Sequence, residues 1–285
     1  MSRILGVDIG GTYTKYGFLN DKKELVSLKV VLTKEIKDYY VFLMNLAKEH
    51  ESLEYISIGI PGIVKDNIIL SCPNAKSLET DDFISKIERT TKIKIFVNKD
   101  VNLLFRFDLE RLNLKNEDNV LGFYLGTGFG NAIKINGQLI KGSNGFAGEI
   151  GHIPVPENRE ICGCGKTGCT ETIISGKALI RIFEENKLEG IFEDVFILYA
   201  SNEKIQNFVK LFATYIVTEM IILDIQTVII SGGVVNMKGF PKDALVHQIK
   251  KSMRNSNMEE KLNIYFVDSA PENGVWGAAL IMEEN

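Results

Sequence analysis

Apolar positions along the chain recur at two spacings, and their alternation predicts a layered α/β protein. Ile4–Ile9 and Tyr16–Leu19 read as strands, Asp38–Glu49 carries helical spacing, and Tyr55–Ile60 reads as a strand. A helix follows over Phe83–Thr90 and a strand over Lys94–Val97. A second strand pair covers Val120–Leu125 and Ala132–Ile135, before a loop-rich stretch to about Ser175. Helices are expected near Lys177–Glu185, Ile205–Leu223 and Lys242–Arg254, strands at Thr227–Ser231 and Asn263–Val267, and a closing helix from Gly274.

Part of this pattern occurs twice. Ile4-Leu5-Gly6-Val7-Asp8-Ile9-Gly10-Gly11-Thr12 is echoed 116 residues later by Val120-Leu121-Gly122-Phe123-Tyr124-Leu125-Gly126-Thr127-Gly128. Each copy is an apolar strand, a Gly/Thr turn and a second strand ending in asparagine, Asn20 or Asn136. A period this long points to domain duplication, because solenoid units run only ~20–50 residues. Coincidence is the alternative; the shared turn chemistry weighs against it. No linker rich in Pro, Gly or Ser divides the halves, so the boundary is placed near Asn116–Asn119. That gives a domain over 1–118, a second over 119–272, and a closing helix over 273–285 that packs back on the first.

Composition changes the picture only by exclusion. With 285 residues, 45% apolar, 25% charged and a net charge of −4, the chain has the make-up of a soluble globular protein. No basic stripe suggests nucleic acid, and stretches such as Tyr215–Leu223 are too short to span a bilayer. Met1-Ser2-Arg3 leads straight into a strand without a signal-peptide pattern, so a cytoplasmic location is expected. His50 and His247 fall on helices and are read as solvent-facing, and Cys72 as an ordinary half-buried thiol.

The candidate chemistry lies in glycine turns and one cysteine cluster. A turn that bares several backbone N–H groups makes an anion site, and glycine permits close approach. Asp8-Ile9-Gly10-Gly11-Thr12, Gly126-Thr127-Gly128-Phe129-Gly130 and Ser231-Gly232-Gly233 each follow a strand. Singly, such turns are commonly structural. Together they suggest a polyphosphate held between facing domains, with β/γ-phosphates on the first two turns and adenosine near the third. Neither a Walker-type loop nor a dinucleotide fingerprint is present.

His152 precedes Cys162-Gly163-Cys164-Gly165-Lys166-Thr167-Gly168-Cys169. Three thiolates and an imidazole suit tetrahedral zinc, and a filled ligand set makes it structural rather than catalytic. A loop of free thiols is the alternative. Glu149 and Glu171 flank the cluster, where a rigid knot would fix them to accept hydrogen bonds from sugar hydroxyls.

These segments, with Gly148-Glu149-Ile150-Gly151-His152 and Cys162-x-Cys164-Gly165-x-x-Gly168-Cys169-x-Glu171, resemble the ROK family (repressors, open reading frames, kinases) over nearly the whole chain. The resemblance implies a two-domain actin-like (ribonuclease H-like) α/β fold and ATP- and Mg²⁺-dependent phosphorylation of a hexose. Family repressors carry an N-terminal DNA-binding domain, and here the phosphate turn begins at Asp8, which favours a kinase. By the same resemblance Asp100 is the catalytic base, although a turn or capping aspartate is the plain local reading. Asn74, Lys99, Glu149, His152 and Glu171 would line the sugar, with Pro61-Gly62 shaping the pocket floor. Asp8 would hold Mg²⁺ through water, and Gly10, Gly11, Thr12, Lys15, Gly126, Thr127, Gly128, Gly232 and Gly233 would serve the nucleotide. Many glucose-type members have asparagine where this chain has Lys99. Lys99-Asp100-Val101-Asn102-Leu103, Gly151-His152-Ile153-Pro154 and Val234-x-x-Met237-x-x-Phe240-Pro241 look more like the D-allose kinase branch, with glucokinase, N-acetylmannosamine kinase and a non-catalytic sugar-binding regulator as alternatives. Family members are commonly dimers or tetramers, which makes a homo-oligomer the expectation.

Overall fold

A computed structural model describes residues 2–280 except 51, 81 and 255; Met1 and residues 281–285 of the expected closing helix lie outside the described residues. The chain divides into two compact units, Met1–Asn116 with Lys141–Ala147 and Ala270–Asn285, and Glu117–Ile140 with Gly148–Ser269.

In the first unit β1 (Ser2–Ile9) and β2 (Tyr13–Asn20) form a hairpin, and β3 (Leu25–Leu32) adds an outer strand. Helix α1 (Tyr39–Glu49) starts where Asp38 accepts from the N–H groups of Tyr40 and Val41, a standard side-chain cap. β4 (Tyr55–Ile60) leads into a small hairpin, β5 (Ile63–Lys65) and β6 (Ile68–Ser71), turned at Asp66 and Asn67 with φ of 49° and 60°. Then come α2 (Phe83–Thr91), β7 (Lys94–Lys99) and α3 (Asp100–Arg111). The sheet order is β3-β2-β1-β4-β7.

In the second unit β8 (Val120–Leu125), β9 (Phe129–Ile135) and β10 (Gln138–Leu139) are followed by α4 (Gly176–Glu185), α5 (Val195–Leu198) and α6 (Glu203–Leu223). β11 (Thr227–Ser231), α7 (Lys242–Ser252), α8 (Ser256–Glu260) and β12 (Asn263–Phe266) complete it. The sheet order β10-β9-β8-β11-β12 repeats that of the first unit strand for strand. In both sheets three strands pair antiparallel and two more add in parallel. The repeat in the sequence is therefore a repeat of topology.

One detail of that repeat is corrected. The first hairpin closes Ile9 on Thr14 and the second closes Leu125 on Phe129, so the second turn is one residue shorter. The correspondence at 116 residues holds up to the turn and slips by one beyond it. The slip ends at the β-bulge between Ser2 and Ile4, beyond which Asn20 pairs with Ser2 and the correspondence with Asn136 is restored.

The closing helix α9 (Glu272–Leu280) lies on the first unit, against β1, β2 and α3. Glycine makes that contact possible. Gly6 and Gly17 are cross-strand partners beneath Val275, and a Cβ at Gly277 would fall 2.0 Å from the Leu103 carbonyl oxygen.

Several elements were not foreseen: β3, the β5–β6 hairpin and α3, and the short β10, α5 and α8. α3 lacks a clean apolar stripe because it is buried on several faces, covering Asn102, Arg106 and Asp108 beside Val101, Leu103, Phe105 and Leu109. β3 mixes exposed Val26 and Val30 with half-buried neighbours, which breaks the period of 2. The expectation about long apolar stretches also needs revision, because α6 as a whole is long and apolar enough to cross a membrane. Eight of its residues, from Ile205 to Met220, are buried, and they belong to the core cluster of the second unit. Cys72 is fully buried rather than half-buried. His50 ends α1 and stacks on Phe18 with ring centroids 3.6 Å apart, whereas His247 is exposed as expected.

Candidate active site

The first glycine turn sits at the end of β1, where Asp8 is buried beside Lys15 (Nζ to Oδ2, 3.1 Å). Burial raises the Asp8 carboxyl above its ordinary value, and the Lys15 ammonium only partly offsets this. The turn is braced by neutral groups. Gly10 N–H donates to Tyr13 O, Thr33 Oγ1 donates to Gly10 O, and Thr33 N–H donates to Thr12 O. Thr33 belongs in turn to a buried hydroxyl cluster with Thr14 and Tyr39.

The second turn is braced differently. Gly126 N–H donates to Gly128 O, and the Gly126 carbonyl accepts from Gly176 N–H at the start of α4 (2.7 Å). Glu171 Oε2 accepts from Phe129 N–H at 3.1 Å. Among the described residues, the N–H groups of Gly11, Thr12, Thr127 and Gly128 donate to no protein acceptor. On each turn the pair of bare donors has the chemistry of an anion site.

Each turn also pairs a glycine that packing demands with one that faces space. A Cβ at Gly10 would lie 2.8 Å from Tyr13 O, at Gly128 2.3 Å from Glu171 Oε2, and at Gly232 2.4 Å from Leu125 O with φ at +111°. A Cβ at Gly126 or Gly233 would meet nothing within 4 Å, and at Gly11 only Asn74 Nδ2 at 3.5 Å. Packing does not account for glycine at Gly11, Gly126 and Gly233.

Asp100 opens α3 directly after β7. Its Oδ1 accepts from Val101 N–H at 2.7 Å. Asn98 Oδ1 accepts both Lys99 N–H (2.9 Å) and Asn102 Nδ2 (2.8 Å), stapling the strand end to the first helical turn. Asn98 and Asn102 are both buried, and their spacing alone gave no sign of this service to Asp100. Asn74 is exposed, and its amide lies beside Gly11 of the first turn. Lys99 is 9% exposed, and its Nζ donates to Ala147 O at 2.9 Å.

In the second unit, Glu149 precedes a short 3-10 turn, Ile150–His152. Glu149 Oε2 lies 3.6 Å from His152 Nε2, while His152 Nδ1 lies 3.6 Å from Cys162 Sγ. Cys164 Sγ and Cys169 Sγ are 3.7 Å apart, and one ligand atom from each of the four residues falls within 4.8 Å of the others. A zinc tetrahedron with metal–sulfur bonds of ~2.3 Å and metal–nitrogen bonds of ~2.0 Å has edges of about 3.8 and 3.5 Å. The residues present therefore fit the ion. The loop closes on itself through Cys162 N–H to Lys166 O and Gly165 N–H to Cys162 O, with Gly165 and Gly168 at φ of +85° and +86°. Burial pushes the Cys169 thiol up to about 12, so a thiolate there needs a cation beside it. With Nδ1 turned to the thiols, the opposite nitrogen of His152 is the one turned to Glu149.

The ROK family model matches residues 4–285. The chain belongs to the ROK family. A glucokinase of Halalkalibacterium halodurans is 34% identical over 65% of this chain, which spans 60% of that protein's length. An N-acetyl-D-glucosamine kinase of Pectobacterium carotovorum is 29% identical over 81% of this chain and 84% of its own. The crystal structure of a ROK glucokinase from Streptomyces griseus, in complex with glucose and AMPPNP, superposes with a TM-score of 0.80 at 23% identity over 99% of both chains. The fold is thus the actin-like α/β fold of ROK proteins.

Proposed function

We propose that this chain is an ATP-dependent hexose kinase that phosphorylates a sugar hydroxyl, the 6-OH in the first instance, and that its preferred sugar is D-allose. The observation that carries the kinase reading is the repeated pair of turns with bare N–H groups and unexplained glycines at Gly11 and Gly126. Relatives named as kinases of glucose and N-acetylglucosamine support the reaction class. The allose assignment rests on a resemblance of Lys99-Asp100-Val101-Asn102-Leu103, Gly151-His152-Ile153-Pro154 and Val234-x-x-Met237-x-x-Phe240-Pro241 to the D-allose kinase branch.

In this reading Asp100 accepts the proton of the attacking hydroxyl, held in place by Asn98 and Asn102. The bare amides of the two turns orient the terminal phosphates, with Gly233 facing the nucleotide's far end. Asp8 fits a Mg²⁺ held through water: Lys15 meets its Oδ2, and burial works against its charge unless a further cation stands beside it. Such an ion would neutralise charge on the transferred phosphoryl group. Glu149, Glu171 and Asn74 accept and donate hydrogen bonds to the ring hydroxyls, with His152 fixed by the zinc knot. Expected partners are the hexose, ATP and further copies of this chain.

A coupled assay of ADP release with D-allose, D-glucose, N-acetylglucosamine and N-acetylmannosamine tests this. The highest kcat/KM is expected for allose. A preference for glucose would overturn the allose assignment and keep the kinase, whereas sugar binding without turnover on any hexose would overturn the kinase.

A further inference from the structure

The chain leaves the second unit after Ile140, spends seven residues in the first, and re-enters the second at Gly148. This excursion is mostly exposed but is pinned at Gly145 and Ala147. Ala147 N–H donates to Lys141 O at 3.3 Å, and a Cβ at Gly145 would fall 2.3 Å from Val64 O of β5. Its last residue, Ala147, presents its carbonyl to the buried ammonium of Lys99 at 2.9 Å. The next residue, Gly148, has φ of +76° and no room for a side chain, because a Cβ would sit 2.5 Å from Asn131 O. Glu149 follows immediately, and His152 three residues later.

Lys99 is also the residue before Asp100. Its N–H is held by Asn98 Oδ1, at the point where β7 becomes α3. One residue therefore fixes two things. Its backbone sets the start of the helix that carries Asp100, and its side chain sets the end of the segment that delivers Glu149.

We infer that Lys99 is a positioning residue that anchors, through the Ala147 carbonyl, the segment leading into Glu149, and so governs hexose recognition without touching the sugar. The inference rests on the hexose kinase reading for its ligand, and on the Lys99–Ala147 hydrogen bond for its mechanism. A long side chain is held rigidly here, and a charged donor on a carbonyl makes a stronger hydrogen bond than a neutral one. Both Gly148 and Ala147 are confined, so a shift at the anchor has little slack in which to dissipate before Glu149. A substitution at Lys99 acts on the sugar carboxylate, not on the nucleotide.

The test is a double-mutant cycle of Lys99→Met and Glu149→Gln, with Lys99→Arg as the rescue and amide hydrogen exchange over 141–152 as a readout that needs no ligand. Lys99→Met is expected to raise the hexose KM by roughly tenfold while the ATP KM stays within about twofold, and Lys99→Arg to restore most of it. In the Glu149→Gln background the same Lys99→Met change is expected to add little, because both act through one group. Exchange at Gly148, Glu149 and Ile150 is expected to quicken in Lys99→Met and to slow again in Lys99→Arg. Additive effects would show that Lys99 acts independently of Glu149 and overturn the inference, as would unchanged exchange. Equal losses in both KM values together with loss of the metal would also overturn it, as a general structural defect. If the wild type turns over no hexose, the kinase reading fails while the exchange arm still decides whether Lys99 holds the segment.

Discussion

The two glycine turns occupy the same place in two sheets of identical strand order, yet they are built from different materials. The first follows a buried acid, Asp8, and is braced by hydroxyls: Thr33 on Gly10 O, with Thr14 and Tyr39 behind. The second follows Tyr124, is one residue shorter, and is braced by a carboxylate, Glu171, and by the start of α4. Charge sits under the first turn and beside the second. The first unit carries the carboxylates Asp8 and Asp100 near its turn, and the second carries Glu171 and the histidine–cysteine cluster. What the two turns have in common is the bare amides and a glycine that packing does not require.

The largest expected effect tests the chemical side of this contrast. Asp100→Asn keeps the Val101 N–H contact through its amide oxygen but removes the proton acceptor. Turnover should fall by about 10²–10⁴-fold with hexose affinity nearly unchanged, read by steady-state kinetics and calorimetry. An unaltered rate would remove Asp100 from its role.

Stripping the metal tests the other side. With the ion gone, His152 and the three thiols lose their common anchor, and Glu149 loses the fixed imidazole that faces it. Chelator treatment, followed by metal analysis and hexose titration, should weaken hexose binding by roughly 10–100-fold and leave nucleotide binding close to normal. Equal loss of both ligands would break the division of labour between the two units.

A smaller effect separates the two kinds of glycine within one turn. Gly126→Ala meets open space, so its thermal midpoint should stay within about 1 °C while the ATP KM rises several-fold. Gly128→Ala drives a methyl group into Glu171, and a stability loss of about 1–3 kcal/mol is expected on denaturant unfolding. If Gly126→Ala left the ATP KM untouched, the close-approach argument for the second turn would fail.

The smallest effect lies behind the second turn. Glu219 on α6 accepts from Asn131 Nδ2 at 2.7 Å, and burial raises its carboxyl from the ordinary 4.5 to about 7. The folded state therefore prefers the protonated acid. That contribution is complete below pH 4.5 and is lost as pH climbs from 4.5 to about 7, because there the unfolded chain binds fewer protons. Glu219→Gln should match the wild type near pH 4.5 and exceed it by roughly 1–2 kcal/mol at pH 8, measured by thermal melts across pH. In the first unit burial likewise raises the Asp8 carboxyl, with the Lys15 ammonium opposing it.

How much of this was legible in the sequence depended on whether a feature is local. The glycine turns, the cysteine spacing and the duplicated strands announce themselves within a few residues, so both hairpins and all four ligands of the knot were identifiable. Helix α3 was not, because an element buried on several faces carries no periodic stripe. The staple from Asn98 to Asn102 and the Lys99–Ala147 bond were out of reach for another reason. The first hides among ordinary polar residues, and the second joins positions 48 apart through a backbone carbonyl that no side-chain pattern encodes. The one-residue difference between the hairpins escaped because matching asparagines at Asn20 and Asn136 made a gapless alignment look complete.

Amide NMR of the ¹⁵N-labelled protein, titrated with a non-hydrolysable ATP analogue and Mg²⁺, addresses the shared role of the turns most directly. The signals of Gly11, Thr12, Thr127 and Gly128 should all shift together at saturation, ahead of those in the cysteine loop. Shifts confined to one turn, or none at either while the analogue binds elsewhere, would contradict the reading of both as phosphate cradles.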